Sequence, residues 1–187
     1  SVSVLSRYPD VLTVHKAPEN EEQVISIVKK AGTQAIESLV AMREREGEKL
    51  KNDVLEHGRK VIDIVAEIEQ RSPQIVEEYR NRLYERLSEV LKDTTIDPQR
   101  ILTEAAIFAD KTAVDEETVR LRSHFAQMND MLSQSEPVGR KLDFIVQEMN
   151  REANTIGSKV SDAVLAHKVV DIKAEIEKIR EQIQNIE

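Results

Sequence analysis

The chain has 187 residues and a formal net charge of −8, with 40% hydrophobic, 33% charged and only 3% aromatic residues. That length fits one domain, or one core with an extended arm, and the charged, aromatic-poor balance belongs to long helices rather than strands. The absence of cysteine excludes disulfides, thiolate metal sites and cysteine nucleophiles and fits a reducing cytoplasm, while no apolar run reaches the roughly 20 residues of a membrane span.

In chain order, Ser1-Val2-Ser3-Val4-Leu5 alternates like the tail of a strand, and Pro9, Pro18 and the Val11-Leu12-Thr13-Val14 run show no helical period. Residues 1–17 are therefore expected to form an extended leader. The start on Ser1 rather than Met suggests a fragment of a longer protein. From Pro18 to Gln70, apolar residues recur every three or four positions (Val24, Val28, Ala31, Ala35, Leu39, Met42, then Leu50, Val54, Val61, Val65, Ile68). One very long helix follows, part of which is expected to project as an arm, with Gly47 and Gly58 as candidate bends. Ser72-Pro73 has the form of a cap followed by a first-turn proline, so a second helix carrying Val76, Tyr79, Leu83, Leu87 and Val90 is expected to fold back as an antiparallel hairpin over 18–92.

Asp97-Pro98 repeats the start signal for a short helix over 101–111, Asp115 is placed to cap a fourth with Leu121, Phe125, Met128 and Leu132 inward, and Pro137 starts a fifth that breaks near Gly157-Ser158. A final helix from Asp162 carries Leu165, Val169, Ile172, Ile176, Ile179, Ile183 and Ile186 at alternating spacings of four and three. That is a heptad seam, which fits either a coiled coil with partner helices or the core helix of a monomeric bundle. The fold expected is all-α, a hairpin arm plus a bundle over 98–187.

The residues with most chemistry lie on the fifth helix. Leu142, Ile145, Met149, Ala153 and Ile156 share one narrow arc that must face a core, which leaves Glu148 and Glu152 on one flank, Asn150 and Asn154 on the other, and Gln147 and Arg151 at the apex. Asn and Thr cost several tenths of a kcal/mol relative to Ala in a helix, so Asn150, Asn154 and Thr155 need a reason to be there. Amides recognise polar ligands, and carboxylates four apart are able to share a hard divalent cation or divide acid and base duties; a polar contact between helices is the alternative. Of the four histidines, His124 has Arg120 four residues before it, a pair suited to proton transfer and phosphate binding, whereas His15, His57 and His167 are taken as structural or solvated. No Gly-rich phosphate loop, His-Glu-x-x-His helix or nucleophile elbow is present. Charge runs such as Glu175 to Glu181 are expected to be solvated faces.

The run Pro137-Val-Gly-Arg-Lys-Leu-Asp-Phe-Ile-Val-Gln-Glu-Met-Asn-Arg-Glu-Ala-Asn-Thr-Ile-Gly-Ser-Lys159, followed by Lys173-Ala-Glu175 and Glu177-Lys-Ile-Arg-Glu-Gln-Ile-Gln-Asn-Ile-Glu187, resembles the C-terminal region of the bacterial YicC-like endoribonuclease family. The resemblance extends more loosely through Arg120 to His124, Met42-Arg-Glu-Arg-Glu-Gly47 and Arg7-Tyr-Pro-Asp-Val-Leu12. It implies a missing N-terminal domain, RNA cleavage with a divalent cation (Mg or Mn), and a homo-oligomer that is hexameric in the full-length form. It also matches the family pattern at Gln147, Glu148, Asn150, Arg151, Glu152, Asn154, Thr155, Ser158, Lys159, Arg120 and His124. The function expected is a metal-assisted endoribonuclease. Glu148 and Glu152 bind the cation that activates water, His124 assists proton transfer, Arg120, Arg151 and Lys159 hold phosphate, and Gln147, Asn150 and Asn154 contact sugar or base. The alternative is a non-enzymatic helical scaffold or RNA-decay adaptor built on the heptad seam.

Overall fold

The computed structural model describes residues 2–9, 11, 20–91, 97–134 and 136–186. Six helices follow one another: α1 (Val2–Leu5), α2 (Glu21–Leu91), α3 (Pro98–Thr112), α4 (Asp115–Met131), α5 (Gly139–Lys159) and α6 (Ala163–Ile183). The all-α expectation holds. Among the described residues no helix is long and apolar enough to cross a membrane.

The chain divides into two units, residues 1–45 and 46–187. In the first, Val2–Leu5 is a helical turn, which corrects the strand-like reading of this alternating segment; hydrogen bonds such as Ser6 N–H to the Val2 carbonyl (3.0 Å) close it locally. The expected run at residues 12–14, with His15 and Pro18, lies outside the described residues. Every residue from 20 to 45 is exposed, including Ile27, Val28, Ile36 and Leu39.

In the second unit, Val54, Val61, Val65 and Ile68 of α2 join Leu121 and Met128 of α4, Leu142, Ile145, Met149, Ala153 and Ile156 of α5 and the isoleucines of α6 in one core. The inward positions expected on α4, α5, α6 and the 54–68 stretch of α2 lie in or against this core, with two corrections on α2. The helix continues through Pro73, so the hairpin is replaced by a single helix of 71 residues. A proline inside a helix removes one backbone hydrogen bond and costs about 3 kcal/mol. Here the turns on both sides are pinned: Ile68 and Ile75 are buried, and Arg71 reaches across the proline to both oxygens of Glu78 (2.6 and 3.0 Å) and to Asp162 (3.4 Å). The helix also continues unbroken through Gly47 and Gly58; at Gly58 an added Cβ would overlap the Phe125 ring, so this glycine permits close approach of α4 rather than a bend. Beyond Pro73, Ile75 is the buried residue, Tyr79, Leu83 and Leu87 are half-buried, and Val90 is exposed.

Tyr79 stacks on Phe108 of α3 (centroids 3.9 Å apart, 6° between planes). Asp97 caps α3 by accepting from the Gln99 N–H (3.0 Å), and Asp162 caps α6 by accepting from the Leu165 N–H (3.0 Å). Asp115, expected as a cap, is instead the first helical residue of α4 behind the N-cap Val114, and α5 runs through Gly157-Ser158 to Lys159. All six heptad positions from Leu165 to Ile183 are buried inside the chain's own core, so within this chain the seam is intramolecular.

Ion pairs fasten α2 to its neighbours. Arg122 of α4 donates to both oxygens of Glu69 (3.3 and 2.8 Å) and holds that carboxyl below the ordinary glutamate value. The Leu165 N–H, and after it Arg71, holds Asp162 low in spite of partial burial. Glu175 of α6 is pushed up by burial, but hydrogen bonds from Lys178 and His57 outweigh this and leave it lowered. His57, expected to be structural, has its Nδ1 2.5 Å from Glu175 and its Nε2 3.7 Å from Asp53.

Candidate functional site

Helix α5 has α4 on one flank and α6 on the other, and its polar residues divide accordingly. At 3.6 residues per turn, positions 148, 152 and 159 fall toward one neighbour and 147, 150, 154 and 158 toward the other, with Arg151 at the crest, three-quarters exposed.

Along the α4 side runs a seam of opposed charges. Lys159 Nζ donates to Glu117 Oε1 at 2.8 Å, and Arg120 Nη1 lies 3.6 Å from Glu152 Oε1. The pairs are crossed: in one the carboxylate is on α4 and the cation on α5, in the other the reverse. In both the carboxylate is buried (5% and 7% exposed) and the cation is not (31% and 50%). Arg120 also pairs with Glu116 on its own helix. The antiparallel register that sets 117 against 159 and 120 against 152 brings His124 to the level of Glu148. The Nδ1 of His124 is buried and has no hydrogen-bond partner among the described residues. Glu148 is 3.5 Å from Arg151.

On the α6 side lies an open groove of about 440 Å³, lined by Val146, Gln147, Asn150, Arg151, Asn154, Thr155, Ser158 and Arg180. No aspartate or glutamate is among them. Gln147 donates to Asp143 (2.7 Å), and the hydroxyls of Thr155 and Ser158 donate back to helix carbonyls, which fixes their rotamers and leaves oxygen lone pairs toward the groove.

The structure thus places Arg120, His124, Glu148, Glu152 and Lys159 on the α4/α5 seam and Gln147, Asn150 and Asn154 in the groove, with Arg151 bridging the two. Glu148 and Glu152, expected to share a divalent cation, each stand beside an arginine, and among the described residues no group of three or more His, Asp or Glu converges as a metal cage. A hard cation at Glu152 would compete with Arg120 for a buried carboxylate. Two residues were missed. Glu117 lies on the inward stripe that contains Leu121 and Met128, a signal its charge obscures among the neighbouring acids Asp115 and Glu116. Arg180 was absorbed into the Glu175–Glu181 charge run, and nothing local distinguishes it.

Residues 68–187 match the family described as endoribonuclease YicC-like, C-terminal, and residues 1–52 match its N-terminal region. The expectation of a missing N-terminal domain is corrected by that second match. A relative from Clostridioides difficile named "Probable endoribonuclease YicC" is 43% identical over 100% of this chain and 64% of its own length. One of the same name from Haemophilus influenzae is 36% identical over 97% of this chain and 62% of its own length. The chain therefore spans a little under two thirds of these relatives. With both family regions matched and the similarity running from end to end, the chain belongs to the YicC-like endoribonuclease family.

Proposed function

We propose that this chain binds RNA across the exposed crest of α5 and cleaves its phosphodiester backbone on the α4/α5 seam. The observation that carries this reading is the groove: in a chain of net charge −8, a surface made of amides, hydroxyls and two arginines without one carboxylate suits a polyanion rich in hydrogen-bonding groups. The name that both relatives bear supports the same substrate class.

In the proposed arrangement Arg151 and Arg180 hold backbone phosphates in the groove, while Gln147, Asn150 and Asn154 hydrogen-bond sugar or base edges. Arg120 and Lys159 face the scissile phosphate from the seam. Displacement at phosphorus needs a group that removes a proton from the attacking oxygen or returns one to the leaving oxygen, and the imidazole of His124 is the seam group assigned to it. No step is assigned to a metal. Self-association is proposed to use the exposed apolar residues of the first unit, such as Ile27, Val28 and Ile36; sedimentation of the chain and of Val28→Asp tests it, and a monomer in both would refute it.

The central test incubates the chain with an end-labelled structured RNA, with added Mg or Mn and with chelator, beside His124→Ala and Glu148→Gln. Cleavage by the unmodified chain and its loss in His124→Ala are expected. Cleavage untouched by His124→Ala would move the chemistry off this seam. No cleavage by any form would favour the helical scaffold or RNA-decay adaptor.

A further inference from the structure

Resting on the RNA-cleavage reading, we infer that the buried carboxylates Glu117 and Glu152 are positioning residues that hold Lys159 and Arg120 at the phosphate. A buried carboxylate is costly unless it is fully paired, and Glu117 is not: Oε1 accepts from Lys159, but Oε2 is buried with no partner among the described residues. Favourable placement in the first turn of α4 does not explain this, since Asp115 and Glu116 occupy the same turn and are exposed. What burial does accomplish is to anchor the charge beneath the surface, so that Lys159 is pulled to one spot while part of it remains in solvent. Glu152, buried on the opposite helix, stands 3.6 Å from Arg120 in a looser pairing that Arg120 shares with Glu116. Two cations are thereby held along one seam on which carboxylates and cations nearly balance. Such a pair adds little to general RNA attraction and acts through the placement of its donors.

The neutral, near-isosteric change Glu117→Gln separates placement from attraction. It keeps an acceptor for Lys159 but removes the anchoring charge. With fluorescein-labelled RNA, affinity by anisotropy is expected to stay level or to tighten, with a steeper salt dependence, while the cleavage rate of bound RNA falls at least tenfold. Lys159→Gln is expected to weaken binding and to slow bound-state cleavage similarly, and Glu117→Gln combined with Lys159→Gln to cleave no more slowly than Lys159→Gln alone. Additive losses in the double variant, or a Glu117→Gln whose affinity and thermal midpoint fall together with an unchanged bound-state rate, would overturn the inference. Should Glu117→Gln fail to fold, Glu152→Gln with Arg120→Gln supplies the same cycle, and failure of both to fold would assign the carboxylates a purely structural role. The RNA-cleavage reading is judged separately, since an unmodified chain that neither binds nor cuts RNA refutes it before any variant is compared.

Discussion

The two flanks of α5 are built from the same helix yet obey different electrostatic rules. Toward α4, each cation is matched by a carboxylate below it, and charge is nearly balanced. Toward α6, cations and amides line a groove without any carboxylate. The first arrangement controls where a charge sits, and the second is proposed to attract an anion. In the proposed RNA reading, the net charge of −8 gives this chain no attractive overall field, the groove lining without acids supplies attraction and the seam that retains acids supplies placement.

If that division is right, changes on the two flanks should have separable effects. The largest belongs to the seam: His124→Asn is expected to lower the cleavage rate of bound RNA by about 100-fold or more, the usual contribution of a proton-transfer group. RNA affinity should change by less than about threefold, because an uncharged exchange there removes no phosphate contact. Single-turnover cleavage beside anisotropy measures both, and a parallel fall in the two would erase the distinction between flanks. The next belongs to the groove. Arg151→Glu with Arg180→Glu should weaken RNA binding about 10- to 100-fold at low salt and flatten its salt dependence, as expected for losing two phosphate contacts. Because the Arg151 side chain is 75% and the Arg180 side chain 44% exposed, and each is paired along its own helix, thermal stability should stay within about 0.5 kcal/mol. Unchanged binding would show that RNA does not use the groove.

Much of this architecture was legible because burial imposes a period. The inward arcs of α5 and α6 follow directly from residues 142 to 156 and 165 to 183, and the caps Asp97 and Asp162 stand where their backbone partners require them. Pro73 misled because the cost of a proline is local, whereas the burial of Ile68 and Ile75 that overrides it is tertiary. At the site, the helical wheel separated the acidic from the amide flank of α5 but not which neighbour each would meet, since that depends on how α4 and α6 pack. Hence the wheel sets Glu148 and Glu152 side by side but does not show that Arg151 and Arg120 stand beside them. Arg180 escaped for the same reason: only packing brings it to the amide flank.

A smaller effect tests the clamps that hold both flanks to α2. Glu69 and Glu175 lie below their ordinary value of 4.5 and Asp162 below 3.8. Carboxyls lowered on folding contribute stability that is complete above those ordinary values and is lost as pH falls through the lower folded ones. Urea denaturation should therefore show a stable plateau near neutrality with respect to these groups and a decline below about pH 4.5, amounting to roughly 1 kcal/mol after allowing for their partial exposure. In Arg122→Met the part of the decline owed to Glu69 should disappear. A decline identical in that variant would mean that Glu69 contributes nothing to the α2–α4 clamp.

The smallest effect probes how closely α6 must approach for the groove to exist. An added Cβ at Gly157 would lie 3.1 Å from the Val169 Cγ1, a tight contact with a side chain that has little rotamer freedom. Alanine in the helix interior gains about 1 kcal/mol over glycine through propensity, and crowding against Val169 opposes that gain. Gly157→Ala should consequently shift stability by less than about 1 kcal/mol in either direction. Any crowding has to be relieved by moving α6 away from α5, which would carry Arg180 away from Arg151. RNA affinity is then expected to fall slightly with stability unchanged, whereas Gly157→Ala in a Val169→Ala background should recover it. Affinity lost in Gly157→Ala and not recovered in that background would show that α5–α6 spacing is not what aligns the two arginines.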